Sequence, residues 1–269
     1  GFVEGRNVTV VPRWAAHDPQ RLAGAVEEFV SRRVAVVLAV GRPAVLQARA
    51  ATSTIPLIAL DLESDPVESG FIKSLARPGG DLTGLFFDFP EFSGKLLELL
   101  TEAVPGLQRL AVLWDPTSGA ATLETLGAVA SQRGLQLTTL RVGKPDDIEE
   151  AVRNAARWGL QAAIALSTPV FGTEPRRLAQ AALHHKLPII SSFPEYGEAG
   201  GLMAYGVSVP DLFRQAGEIV GKVLAGARPA DQPVGRPTRF RLVVNLSTAR
   251  TMGITMPNVL LARADEVVE

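Results

Sequence analysis

Leu110-Ala111-Val112-Leu113-Trp114-Asp115-Pro116 holds the pattern from which the fold is read: an apolar run, an acid, then proline. A short aliphatic run bounded by a turn signal reads as a strand buried on both sheet faces. Proline suits the first helical position because its missing N–H would be unpaired there anyway, and Asp or Thr just before it can cap the free backbone donors. The same joint recurs at Gly41-Arg42-Pro43, Ser64-Asp65-Pro66, Ser167-Thr168-Pro169 and Ser192-Phe193-Pro194. In a parallel sheet such joints gather at the carboxyl edge of the strands, where helix amino ends present bare N–H groups and partial positive charge. A ligand is expected at that edge.

Outward from this stretch the chain alternates strand and helix. Strands are expected at Val8 to Arg13, Val34 to Val40, Ile55 to Leu60 and Thr83 to Phe87, with helices at Pro19 to Arg33 and Pro43 to Ala51. A longer amphipathic helix, Phe92 to Val104, carries Leu96, Leu97, Leu99, Leu100 and Val104 as its apolar stripe. Strands at Leu110 to Trp114, Leu135 to Leu140, Ala162 to Leu166 and Leu187 to Ser191 then alternate with helices near Ala120 to Arg133, Asp146 to Arg157 and Glu174 to His185. Gly134 fits a left-handed helix stop. Leu202 to Val207 and Phe240 to Leu246 read as strands, Asp211 to Ala225 as an amphipathic helix, and Arg228 to Arg239, with three prolines, as an extended connector. The tail from Ser247 carries a short helix and then Pro257. Strand spacing breaks at the long helix, which predicts an α/β protein with two doubly wound parallel-sheet lobes and a ligand cleft between them.

Composition narrows the function. The 269 residues are 46% hydrophobic and 20% charged, ordinary for a globular chain of two moderate domains. A net charge of −1 with interspersed signs provides neither a basic face for nucleic acid nor a polybasic membrane patch. No apolar stretch approaches the roughly 20 residues of a bilayer span, so no direct membrane insertion is expected. Cysteine is absent, which removes disulfides and thiolate chemistry. The chain starts at Gly1 and shows no leader, so an upstream segment is expected to have been removed.

Four motifs in order, Gly1-Phe2-Val3-Glu4-Gly5-Arg6-Asn7-Val8, Ala76-Arg77-Pro78-Gly79-Gly80-Asp81-Leu82-Thr83-Gly84, Glu198-Ala199-Gly200-Gly201-Leu202-Met203-Ala204-Tyr205-Gly206 and Leu260-Leu261-Ala262-Arg263-Ala264-Asp265-Glu266-Val267, together resemble one family. It is the substrate-binding component of ATP-binding cassette importers, in the tryptophan/tyrosine-uptake-like branch. The resemblance implies a periplasmic binding protein of the first structural type, with three segments crossing between the lobes near Thr83 to Asp88, Tyr205 to Ser208 and Pro233 to Arg239. Lobe 1 then takes residues 1–86 and 208–235, and lobe 2 takes 87–207 and 236–269. It also implies a periplasmic monomer that hands a small molecule, an aromatic amino acid or aromatic carboxylate, to a membrane permease. One departure is noted: relatives carry an export signal and the first strand and helix of lobe one ahead of the opening motif, and that first strand sits inside a sheet of order 2-1-3-4-5.

Candidate ligand contacts follow from the joints and the resemblance together. Asp115, Thr117 and Ser118 stand where the family has an Asn-Pro-Asn-type turn; Asp115 reads as a ligand-facing acid suited to an amine or as a helix cap, and both readings stand. Gly41 leaves room for a carboxylate and Arg42 adds charge, with a solvent-exposed arginine as the plainer reading. Asp61, Glu63 and Asp65 alternate as in a calcium loop, but Pro66 and Ile72 occupy the positions that need glycine and a bidentate glutamate, so capping within a solvated acidic loop is expected. Phe87, Phe193 and Tyr205 fall near strand ends as aromatic walls, Trp114 is expected in the core, and Phe171, following Ser167 and Thr168, matches a Phe-rich family loop. Glu195 is either a cleft carboxylate or a helix-start acid.

Catalysis finds little support. The histidines are His17, His184 and His185, and the last two, adjacent on a helix, are expected to point apart. No nucleophile elbow, phosphate loop or dinucleotide fingerprint occurs. No enzyme, cofactor or metal is expected; a ligand-sensing regulatory domain of the same fold and a small α/β enzyme stand as alternatives.

Overall fold

The computed structural model describes residues 1–15, 18–62, 64–87, 89–118 and 121–269, with the side chains of 89–91, 118 and 121 left aside. Two compact units emerge, Gly1–Phe87 with Pro210–Arg236, and Asp88–Val209 with Pro237–Glu269. The chain therefore passes from one to the other after Phe87, Val209 and Arg236. Each unit is mixed α/β around a sheet whose strands pair mainly in parallel.

The first unit contains α1 (Pro19–Ser31), β1 (Val37–Val40), α2 (Arg42–Ala51), β2 (Leu57–Asp61) and β3 (Leu82–Phe86). Asp18 starts α1 by accepting from the backbone N–H groups of Gln20 and Arg21, and Pro19 follows it at the first helical position. The sheet order is β1-β2-β3, all parallel, in register Val37↔Leu57 and Leu57↔Leu82. Every residue of β2 and β3 is buried, as their aliphatic runs require. Val37, Val45, Leu57, Phe71, Leu82, Phe86 and Val234 share one core.

The proline-rich connector closes the outer edge of β3. Gly235 donates to Gly84 O at 2.8 Å, Phe86 N donates to Gly235 O at 3.0 Å, and Thr83 Oγ1 donates to Gln232 O at 2.9 Å. An extended segment thereby satisfies backbone groups that an edge strand would otherwise leave open.

Val8 to Arg13, expected as a strand, is not one: only an isolated bridge joins Glu4 to Val8. Alternating apolar residues do not make a strand without a neighbouring backbone to pair with, and Val10 and Trp14 here remain exposed. Ser64-Asp65-Pro66 also departs from expectation, opening a turn rather than a helix.

The second unit runs α3 (Phe89–Ala103), β4 (Arg109–Trp114), a 3₁₀ turn at Pro116–Ser118, α4 (Ala121–Gln132), β5 (Gln136–Arg141), α5 (Asp147–Arg157), β6 (Ala162–Ala165), α6 (Pro169–Thr173), α7 (Pro175–His184), β7 (Ile189–Ser191), α8 (Pro194–Glu198) and β8 (Met203–Gly206). The 16-residue α9 (Val209–Leu224) leads into the first unit. After it come β9 (Arg241–Asn245), α10 (Leu246–Met252), α11 (Asn258–Arg263) and β10 (Glu266–Val268) in the second.

The second sheet has the order β10-β9-β8-β7-β6-β4-β5. Its core is thick: Leu96, Leu97, Leu99 and Leu100 of α3 and Leu110 and Leu113 of β4 are fully buried. Two features were not anticipated. β8 and β9 pair antiparallel, against the all-parallel expectation, and β10 adds a parallel strand beside β9 where only a tail was read. Both come from long-range pairing, which a three-residue strand such as β10 does not announce in its own sequence.

Each sheet has one glycine that its neighbour makes obligatory. A Cβ on Gly84, at φ +148°, would come within 2.0 Å of Ala59 O, and one on Gly206 within 1.8 Å of Ser192 O. The backbone of β2 at Ala59, and that just past β7 at Ser192, approaches too closely for any side chain.

Candidate functional site

In the second sheet β4 lies between β5 and β6, so the chain leaves β4 to one side and continues to the other. The reversal opens a crevice at the carboxyl ends of β4 and β6, the place where doubly wound sheets bind ligands. Leu113 pairs with Ala165 across this point, and Leu166 N donates to Leu113 O at 3.2 Å. Asp115 and Thr117 therefore leave from one wall, and Ser167, Thr168 and Phe171 from the other.

The two walls differ chemically. Asp115 is buried and its Oδ1 accepts from Thr117 N at 2.9 Å and Thr117 Oγ1 at 2.8 Å, capping the 3₁₀ turn. The side chain of Ser118 lies outside the described residues. Thr168 precedes α6 but does not cap it through its side chain, contrary to the reading of the joint. Thr168 is 2% exposed, and its Oγ1 has no hydrogen-bond partner. The helix takes up the Thr168 carbonyl instead, which accepts from Phe171 N at 3.1 Å and Gly172 N at 3.2 Å. Phe171 is fully buried in the first turn of α6, and Ser167 is also buried.

Beyond β7, Phe193 packs its ring against Gly172 of α6, and its N–H donates to Ser191 Oγ at 3.2 Å. Glu195 takes the helix-start role in an unexpected way: its Oε1 caps α9 rather than its own helix, accepting from Val209 N at 2.9 Å and Ser208 Oγ at 3.3 Å. Its Oε2 is buried without a partner.

Tyr205 near the end of β8 stacks on Phe92 at 5.6 Å and on Phe240 at 5.7 Å, while Phe92 and Phe240 lie 5.8 Å apart. Gly206 pairs with Arg241 where β9 begins, and the Phe92 and Phe240 rings both lie against Tyr205, so the three rings gather at the carboxyl end of β8. Burial pushes the Tyr205 phenol up, and the nearby Asp265 carboxylate pushes the same way. Phe92 and Phe240 were missed in the sequence because each looks like ordinary apolar patterning, one on a helix stripe and one at a strand start. Trp114, expected in the core, is half-buried at the end of β4.

The first unit presents its own carboxyl edge. Gly41 precedes α2 at φ 83°, and its N–H donates to Leu60 O at 2.8 Å. Arg42 is tied down, donating to Ser69 Oγ at 3.1 Å with its guanidinium 5.9 Å from the Phe71 ring centroid. Asp61 is wholly buried and accepts from Ser64 Oγ at 2.6 Å, which corrects the solvated-loop reading of this residue. Asp65 Oδ1 caps the next turn through Val67 N at 2.7 Å and Glu68 N at 2.9 Å. Phe87 N donates to Asp61 O at 3.3 Å. Glu63, His17 and Asp88 lie outside the described residues. No described helix is long and apolar enough to cross a membrane.

Comparison with known proteins gives this geometry its context. A family model for ABC transporter substrate binding proteins matches residues 1–268. The tyrosine-binding protein of Clostridioides difficile (strain R20291) is 23% identical over 271 residues, covering 99% of this chain and 77% of that one. A conserved domain protein from Vibrio cholerae superposes with a TM-score of 0.89 at 25% identity, covering 99% of this chain and 89% of that one. The ABC domain from Streptococcus pneumonia in complex with L-Trp superposes with a TM-score of 0.82 at 25% identity, covering 93% and 84%. With nearly its whole length matched by the family model and its sheets wound in the corresponding fold, the chain belongs to the ABC transporter substrate-binding protein family.

Proposed function

We propose that this protein is an extracytoplasmic receptor that captures an aromatic amino acid or a related aromatic carboxylate, closes around it by hinge rotation and delivers it to the membrane permease of an importer. The observation that carries the reading is the Thr168 hydroxyl, buried and without a partner at the β4/β6 crevice. An unsatisfied buried hydroxyl costs about 1–3 kcal/mol, and a polar group arriving on a ligand removes that cost. Asp115 on the facing wall suits an ammonium group, and the Tyr205, Phe92 and Phe240 rings supply π surface on the same edge. The similarity to a tyrosine-binding protein and to a domain holding L-Trp supports the aromatic choice. Binding alone does not transport: the ligand must favour the closed form over the open one, and hinge rotation follows from that difference.

Calorimetric titration with L-Trp, L-Tyr, L-Phe and L-Leu tests the reading. An aromatic amino acid is expected to bind, with Thr168→Val weakening it about five- to tenfold, the equivalent of about 1–1.4 kcal/mol for one lost hydrogen bond. Solution scattering is expected to show compaction on saturation. Retention of a non-aromatic solute in native mass spectrometry, with no aromatic binding at millimolar concentration, would overturn the ligand class. Binding without compaction would overturn the hinge.

A further inference from the structure

Away from the crevice, Glu149 on α5 and His184 and His185 at the end of α7 bring three ligand-type side-chain atoms within 4.8 Å of one another. Neighbouring helical residues point about 100° apart, which is why spacing alone separates these two rings. The fold removes that conflict. α7 ends at His184, and His185 follows it at φ −91° and ψ 1°, outside the helix. The rings consequently meet edge to face, with centroids 4.7 Å apart and planes at 82°. His185 Nε2 lies 2.7 Å from Glu149 Oε1, and the two side chains are 17% and 47% exposed, open to an ion from solvent.

We propose that Glu149, His184 and His185 form a binding site for a divalent transition-metal ion, Zn²⁺ foremost, that fastens α5 to α7. Two imidazole nitrogens with one carboxylate oxygen match the borderline metals. Mg²⁺ and Ca²⁺ require all-oxygen shells, and soft Cu(I) requires sulfur ligands that this set lacks. A histidine–carboxylate ion pair would need only His185; the third donor, converging from the adjacent residue, is what distinguishes a metal site. Tetrahedral bonds of about 2.0–2.1 Å place donors roughly 3.4 Å apart. The three donor atoms lie within 4.8 Å of one another, so loading the ion requires exposed Glu149 and His184 to draw in by a change of rotamer, with water as the fourth ligand.

Untagged protein, stripped with a chelator, is titrated with ZnCl₂ against a chromophoric zinc indicator, and its melting temperature is followed in parallel. One ion per chain is expected at micromolar affinity, with a higher melting temperature because the ion binds the folded form. His184→Ala and His185→Ala are each expected to weaken binding at least tenfold, and Glu149→Gln to weaken it measurably. Circular dichroism and melting in chelator check that the variants are folded. Should His185→Ala destabilise the packing, the exposed pair His184→Ala and Glu149→Gln carries the test. Absence of binding at about a hundredfold above micromolar zinc, or unchanged affinity in folded His184→Ala and Glu149→Gln, would overturn the site.

Discussion

The two units are built from the same strand-to-helix joint but do not wind it alike. In the second, β4 lies inside the sheet and the order reverses around it, whereas in the first β1, β2 and β3 follow one another in a single direction. Reversal produces a crevice at the carboxyl edge; direct succession does not, among the described residues. Asp115 and Thr168 stand on the two walls of such a crevice, and Thr168 keeps a hydroxyl unused. The corresponding edge of the first unit is already occupied with its own bonds: Arg42 to Ser69, Ser64 to Asp61, and Asp65 to the turn it caps. Identical local chemistry thus yields an open wall in one unit and a satisfied one in the other, because strand order decides what each joint faces.

Among the described residues the sheets also differ in size, three strands against seven, and the strongest perturbations should expose the difference. Gly84→Ala and Gly206→Ala each force a Cβ into backbone, and about 3 kcal/mol or more of destabilisation is expected from either. Hydrogen exchange read by mass spectrometry should show Gly84→Ala opening peptides of the first unit and Gly206→Ala those of the second. Simultaneous opening of both units by either variant would mean that they fold as one.

Core truncations sharpen the same contrast. Leu57→Ala in β2 and Leu113→Ala in β4 remove fully enclosed side chains and should each cost about 2–5 kcal/mol. Equal costs are expected to have unequal results: the three-stranded unit has less core in reserve, so Leu57→Ala should give a separate early unfolding transition in urea and Leu113→Ala should not. A single coincident transition in both would break the comparison.

Surface charge sets the lower end of the scale. The hydrogen bond from Lys95 holds the Glu98 carboxyl below its ordinary value of 4.5, burial opposes this, and Arg263 adds to the lowering. A depressed carboxylate contributes stability that is fully present above its unfolded value and is lost as pH falls through its folded one. Lys95→Met, within the second unit, should therefore cost only about 0.3–0.5 kcal/mol near neutrality after solvent screening, and the difference from the parent should vanish in acid. Thermal melts across pH check both the size and the sign; a larger loss at low pH would reverse the assignment.

Much was legible in the residues because it depends on near neighbours. Apolar runs such as Ala162–Ala165 and Leu57–Asp61 are strands because aliphatic side chains fill both sheet faces, and Asp18, Asp65 and Asp115 cap because their oxygens reach N–H groups two or three residues on. Other features were not legible at that range. The antiparallel turn of β9 onto β8, the addition of β10, the capping of α9 by Glu195 and the meeting of Phe92, Tyr205 and Phe240 join residues far apart in the chain. Val8 to Arg13 shows the converse, a strand-like alternation with no partner backbone to make it one.

The class of this protein was readable in its residues: alternating α and β elements, the proline joints that do open helices and four ordered motifs are local properties, set by side-chain shape and backbone propensity. Tertiary structure alone decided which joints face a crevice, that Thr168 leaves its helix uncapped and its hydroxyl unpartnered, and that His184 and His185 converge. Those outcomes depend on strand order and on where a helix stops, and both are set by packing between segments that the chain holds far apart.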